Sequence, residues 1–172
     1  MYETGQQLDL DLDLTEPISG NLLIKSPGIF KKYLNKPQAT SETFNQDGWF
    51  ITGDIAELDH TKNFKILGRS STDIIKSGGY KISALQIEAK ILEKNGDIVE
   101  EVAVIGMEDE DLGEIVLAVV VMKDGCGVSK DELNFGNLVN YQVPKKVVES
   151  SEPLPRNVMG KLNKKLIKNK LL

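Results

Sequence analysis

Hydrophobic and polar positions change their pattern near residue 69, and the two stretches predict different structures. Before it, Leu8, Leu10, Leu12 and Leu14 alternate with Asp9, Asp11 and Asp13. That is the period-2 pattern of a half-buried strand, although Leu and Asp are poor strand formers. Residues 20–26 predict a strand stopped by Pro27-Gly28. Residues 30–45 are polar with Pro37 inside, which leaves loop and short helix both open. Asp47-Gly48 signals a turn ahead of Trp49-Phe50-Ile51. Residues 54–58 and 64–67 flank a polar turn and predict a hairpin. Residues 1–68 therefore read as strand and loop, too thin to hold a core alone.

After Arg69 the patterns lengthen. Residues 72–76 predict a short strand and Gly78-Gly79 a sharp turn. Ser83 followed by Gln86 has the capping-box spacing of a helix start. Ala84, Leu85, Ile87, Ile91 and Leu92 then fall on one side at helical spacing. Residues 99–105 and 115–122 are β-branched runs, the second continuous enough for a buried strand. Ser129 and Glu132 form another capping box, predicting a helix weakened by Gly136. Val147-Val148 predicts a brief strand, and Asn163 caps a last helix with Leu166 and Ile167 as its apolar stripe. The order β, α, β, β, α, β, α describes an α+β domain of roughly a hundred residues.

Composition narrows the function classes. The chain of 172 residues is 40% hydrophobic and 27% charged, which is ordinary for a globular protein. A net charge of −5 argues against a general nucleic-acid binder. Lys161, Lys164, Lys165, Lys168 and Lys170 make a basic tail that suits a small phosphorylated partner; for each lysine except Lys161, a solvated helix face explains it equally well. The single Cys126, in a turn, excludes an internal disulfide and a cysteine-rich metal site, which fits a reducing compartment. The single His60 excludes a histidine cluster. No apolar run reaches the ~18 residues of a membrane span, and the acidic start has no targeting pattern.

Four sites have side chains suited to nucleotide chemistry. Asp54 follows Thr52-Gly53 at the mouth of a strand, where a carboxylate can accept both hydroxyls of a ribose. By itself it reads equally as a turn Asp bonded to its own backbone. Arg69 follows Gly68, and its planar fork suits a pair of ribose or phosphate oxygens, or a surface ion pair. Lys76 and Lys81 bracket Ser77-Gly78-Gly79-Tyr80, where glycines let a ligand approach the main chain or simply turn a hairpin. Lys161 follows Gly160 beyond Pro153 and Pro155, on a segment stiff before it and flexible at it. Such a lysine can neutralise charge developing on a transferred phosphate oxygen, or be a loose solvent lysine.

Taken together, these motifs resemble the acyl-CoA synthetase branch of the adenylate-forming (AMP-binding) superfamily, from the end of its large domain through its small mobile one. Gly48-Trp49-Phe50-Ile51-Thr52-Gly53-Asp54 is similar to the family's Gly-Trp-Phe-x-Thr-Gly-Asp, and Gly68-Arg69 to its Gly-Arg. Residues 155–161 resemble its Pro-Arg-x-x-x-Gly-Lys loop, and residues 106–114 a further family segment. The run from Gly68 to Leu85, with Asp73-Ile74-Ile75-Lys76 and Gly78-Gly79-Tyr80-Lys81, resembles the malonyl-CoA synthetases in particular.

The resemblance implies a β-rich end of the large domain over 1–70 and the mobile α+β domain over 71–172. It implies Asp54 and Arg69 on the adenosine ribose, and Lys161 on the acid and α-phosphate. It also implies a hinge at Ser71, Gly78 and Gly79 on the CoA pantetheine path, and Lys76 assisting the thioester step. The reaction implied uses ATP with Mg2+ and CoA to turn a carboxylic acid, malonate favoured, into its CoA thioester through an acyl-adenylate. The phosphate loop and adenine pocket of the family belong to the large domain, so catalysis by this chain is expected only with that domain in cis or in trans. An intracellular, mitochondrial setting is implied by the malonyl-CoA synthetases alone. A non-catalytic remnant or interaction module of the same fold is the alternative; a luciferase-like or peptide-synthetase branch fits the Gly-Gly-Tyr-Lys context less well. Three departures stand out: Ser71 at a hinge that is usually acidic or lysine, Gln86 where Glu is usual, and a helix after Glu132 about three residues short.

Overall fold

A computed structural model describes residues 15–123 and 132–171. The alternating stretch from Leu8 to Leu14, Cys126 and Ser129 lie outside the described residues. The chain divides into two compact units, Met1–Ser70 and Ser71–Leu172.

In the first unit, β1 (Ile18–Ile24), β2 (Phe50–Leu58) and β3 (Phe64–Arg69) form an antiparallel sheet in that order. The open choice over 30–45 resolves as a short helix, α1 (Pro37–Thr43). It begins at Pro37, because proline's missing N–H is no loss in a first turn. The β2–β3 hairpin is closed by Asp59, whose Oδ1 accepts the N–H groups of Thr61 and Asn63 at 2.8 and 2.9 Å. Ile55, Leu58 and Leu67 are buried, whereas Phe64 and Ile66 remain 58% and 54% exposed.

In the second unit, β4 (Ile74–Ser77), β5 (Tyr80–Ser83), β6 (Val99–Asp109) and β7 (Gly113–Met122) make a sheet in the order β5-β4-β7-β6. β8 (Lys146–Glu149) adds to β7 in parallel. Val102, Val104, Val116, Ala118 and Val120 pack on one side with Ile87 and Ile91 of α2 (Ala84–Asn95). Ala103, Ile105, Leu117 and Val119 pack on the other with Ile167 of α3 (Lys164–Leu171). Both faces are thus covered, which is why 115–122 is apolar without alternation. The α+β class expected from the sequence is the class adopted. Among the described residues, no helix is long and apolar enough to cross a membrane.

Three expectations need correction. The segment after Glu132 forms turns instead of a helix. Gly136 there has φ +62°, and Asn95 holds Asn134 at both ends, donating to its carbonyl and accepting its N–H at 2.9 Å. Those side-chain bonds replace the helical ones. Strand β5 follows only from the hairpin reading of Gly78-Gly79 and has little pattern of its own, being four residues that begin with exposed Tyr80 and Lys81. On α2, Leu85 and Leu92 are exposed, and the buried face is Ala84, Ile87, Glu88, Ile91 and Asn95. On α3, Leu166 is 42% exposed while Lys164, expected on a solvated face, is buried.

Candidate functional site

The first unit brings Asp54 and Arg69 together. They are directly opposed across β2 and β3, and Arg69 Nε lies 2.9 Å from Asp54 Oδ1. Arg69 Nη1 also donates to the Thr52 carbonyl, and the Asp54 N–H donates to Thr52 Oγ1 at 3.0 Å. Gly53 has φ +77°, and a Cβ there would stand 2.9 Å from Arg69 Nη1. The backbone conformation therefore favours glycine, and a side chain there would also have to displace the flexible end of Arg69. The Asp54 side chain is 27% exposed and that of Arg69 58%, so the pair is accessible to a solute.

In the second unit, Lys76, Gly78 and Gly79 share the β4–β5 hairpin. Ser77 pairs with Tyr80, and Gly78 and Gly79 have φ +54° and +85°, the mirror-image turn that suits the twist of paired strands. The tip is fastened to β7: Lys76 N–H donates to Glu114 Oε2 at 2.8 Å, and Gly78 N–H to the Leu112 carbonyl at 2.9 Å. A Cβ at Gly106 would stand 2.5 Å from Glu114 Oε1, so that glycine makes room for the carboxylate. This explains the 106–114 motif structurally. Beside the turn, the exposed rings of Tyr80 and Tyr141 stack with centroids 4.1 Å apart and planes 5° apart.

Lys161 stands on a separate loop of the same unit, and its shape comes from its own sequence. Asn157 N–H donates to the Lys161 carbonyl at 2.8 Å, and Asn157 Oδ1 accepts the N–H groups of Met159 and Lys161 at 2.9 and 3.0 Å. Gly160 takes φ +79° to close the turn. Arg156 donates to the Gly160 carbonyl at 2.9 Å and pairs with Glu101 on β6. Glu101 Oε2 also accepts the Leu154 N–H at 2.7 Å. Burial opposes ionisation of Glu101, but the bonds from Arg156 and Leu154 outweigh it and hold its carboxyl below the usual range. Among the described residues, Lys161 and Lys76 pair with no carboxylate.

Ser71, the expected hinge, is the exposed first residue of the second unit. One group went unread in the sequence: Lys164 between Asp73 and Glu88. Its signal was available, since Glu88 falls at the same helical spacing as Ala84, Ile87 and Ile91. Among the described residues, no three His, Cys, Asp or Glu side chains converge as a metal site.

Comparison with known proteins gives a consistent result. Residues 86–161 match the family model described as the AMP-binding enzyme C-terminal domain. A malonate–CoA ligase of Arabidopsis thaliana is 40% identical over 170 residues, covering 88% of this chain and 27% of the relative. A mitochondrial malonate–CoA ligase of Homo sapiens is 42% identical over 155 residues, covering 88% and 26%. The crystal structure of ATP-bound MatB from Rhodopseudomonas palustris superposes with a TM-score of 0.72 at 35% identity, covering 91% of this chain and 31% of that one. The chain spans about a quarter of the length of the curated relatives it matches.

Proposed function

We propose that this chain, whose residues 86–161 match the AMP-binding enzyme C-terminal domain family, is the C-terminal part of an ATP-dependent acid–CoA ligase. In the first half-reaction the substrate carboxylate attacks the α-phosphorus of ATP, forming an acyl-adenylate and releasing pyrophosphate. In the second, the thiol sulfur of CoA attacks the acyl carbonyl, the carbonyl–phosphate bond breaks, and AMP leaves. Malonate is the acid we favour, on the strength of the relatives' names. A mitochondrial setting is proposed from the human relative alone. The large adenylation domain, supplied in cis or in trans, completes the site.

Within this scheme the chain supplies charge in two places. Asp54, oriented by Arg69, accepts the ribose hydroxyls, and Arg69 adds its fork to the same sugar. Lys161 neutralises the charge that builds on the acid and α-phosphate in the first step. Rotation of the second unit at Ser71 then withdraws Lys161 and presents the Gly78-Gly79 turn to the pantetheine arm, with Lys76 assisting thioester formation. The stacked tyrosines beside that turn extend the apolar side of the path. Magnesium would arrive with the triphosphate; among the described residues no three His, Cys, Asp or Glu side chains converge to hold it. The observation that carries the reading is Lys161: an exposed lysine on the closing leg of a braced turn, with no carboxylate partner among the described residues.

The test separates the two half-reactions in the ligase assembled from this chain and its adenylation domain. Lys161→Ala should slow acid-dependent pyrophosphate exchange about 10²–10³-fold, the cost of removing one transition-state donor, and spare thioester formation from supplied acyl-adenylate. Lys76→Ala should do the reverse. Unchanged exchange in the Lys161 variant would remove the reading, and a panel of acids compared by kcat/KM decides whether malonate is preferred.

A further inference from the structure

Three residues beyond Lys161 the chain turns inward. Lys164, the first residue of α3, has a side chain only 9% exposed, with Nζ 2.8 Å from Glu88 Oε1 and 3.0 Å from Asp73 Oδ1. Glu88 Oε1 also accepts the Val104 N–H at 2.8 Å, in the middle of β6. The Asp73 carbonyl accepts the Ala84 N–H at 2.8 Å, at the start of α2. One ammonium therefore joins the entrance to β4, helix α2, strand β6 and the start of α3.

Such a cluster is a poor device for stability. Removing three charged groups from water offsets most of their attraction, and apolar side chains of the same volume hold a fold at least as well. What it supplies is direction. An ammonium between two carboxylates, one of them also bonded to a strand, keeps both ion-pair contacts in one arrangement, whereas an apolar contact tolerates several; among the described residues Lys164 Nζ meets no acceptor at a hydrogen-bonding angle, so charge attraction holds it. Its location gives that direction a use. Asp73 lies two residues past Ser71, and Lys164 lies on the exit leg of the lysine loop, where Asn163 N–H donates to the Pro155 carbonyl at 2.8 Å. The entry leg has its own anchor in Arg156 and Glu101.

We infer that Asp73, Lys164 and Glu88 form a positioning device for Lys161, fastening the exit leg of its loop to the segment that leaves residue 71, so that loop and segment turn as one body. This rests on the role of Lys161 given above. Lys164 itself touches no substrate and acts through Lys161.

The experiment replaces the pair that need each other, Lys164→Met with Glu88→Gln, which keeps volume and leaves no buried unpaired ammonium. In the 172-residue chain, tryptic cleavage after Lys161 should become faster on the order of tenfold, while cleavage after Lys62 in the first unit stays as it was and the unfolding transition is not lowered. Unchanged cleavage after Lys161 in a folded variant overturns the inference. If the double variant does not fold, Glu88→Gln alone is read at the same two sites, with a smaller acceleration expected and no acceleration counting against. In the assembled ligase, pyrophosphate exchange should fall about tenfold with thioester formation spared, because a misdirected lysine affects the first step alone. Equal losses in both half-reactions would mean a merely structural role. Lys161→Ala run in parallel keeps the two ideas apart: if it has no effect, the proposed function fails; if it slows exchange and the double variant does not, only the positioning role fails.

Discussion

The two units hold their candidate residues by different means. In Met1–Ser70, Asp54 and Arg69 are set by strand register and by their own hydrogen bonds, on a sheet whose Phe64 and Ile66 remain largely exposed. In Ser71–Leu172, Lys76 stands on a sheet covered on both faces and the Lys161 loop is tied to that sheet by Arg156 and Glu101, with Ile87, Val104, Val116 and Val120 in the core entirely or almost entirely buried. A charged side chain can be aimed by local bonding alone, as at Asp54. It can also be carried by a packed body, which keeps its aim when the body moves. The second arrangement is the one that the proposed exchange of Lys161 for Lys76 requires.

Core substitutions give the largest contrast. Ile87→Ala removes a fully buried side chain between α2 and the sheet and should lower the stability of the second unit by about 2–5 kcal/mol in denaturant unfolding. Ile66→Ala, at a 54% exposed site, should stay within about 0.5 kcal/mol. Similar losses at both positions would erase the distinction between the units.

A backbone substitution tests the local bonding of the first unit. Gly53→Ala meets φ +77° and the Arg69 guanidinium together, and should cost about 1–2 kcal/mol. Amide exchange should report the loss around Thr52 and Ser70, since Ser70 N–H donates to the Gly53 carbonyl at 3.0 Å. Loss of protection in the second unit would show that the two are not separately held.

The smallest effect lies within the second unit, between two carboxylates. Burial pushes Glu88 above its ordinary value of 4.5, with the neighbouring Lys164 acting against that shift. Its folded state holds the proton more tightly, so this contribution is present below 4.5 and is lost as pH rises through the raised value. Glu101 has the opposite sign: its contribution is present above 4.5 and is lost as pH falls through its lowered value. Stability measured against pH should therefore lose its fall toward neutral pH in Glu88→Gln and its acid fall in Glu101→Gln. The same slope in both variants would contradict the assignment.

Much of the candidate site was legible in the sequence because its parts are local. Asn157, Gly160 and Lys161 make their turn among themselves, and Gly78-Gly79 can hardly form anything but a tight hairpin turn. The apolar runs of β6 and β7 likewise announce strands buried on both faces. What only the tertiary structure decided is which partner each charged side chain finds. Helical spacing puts Glu88 on the inner face of α2, but the ammonium it meets comes from Lys164, 76 positions along the chain. Asn95 bonds to Asn134 and holds 132–141 out of a helix by the same kind of distant contact. Periodicity describes a segment's own geometry and therefore survives in one dimension. A buried polar group is stabilised only by a partner that folding brings to it, and no local pattern encodes which partner that is.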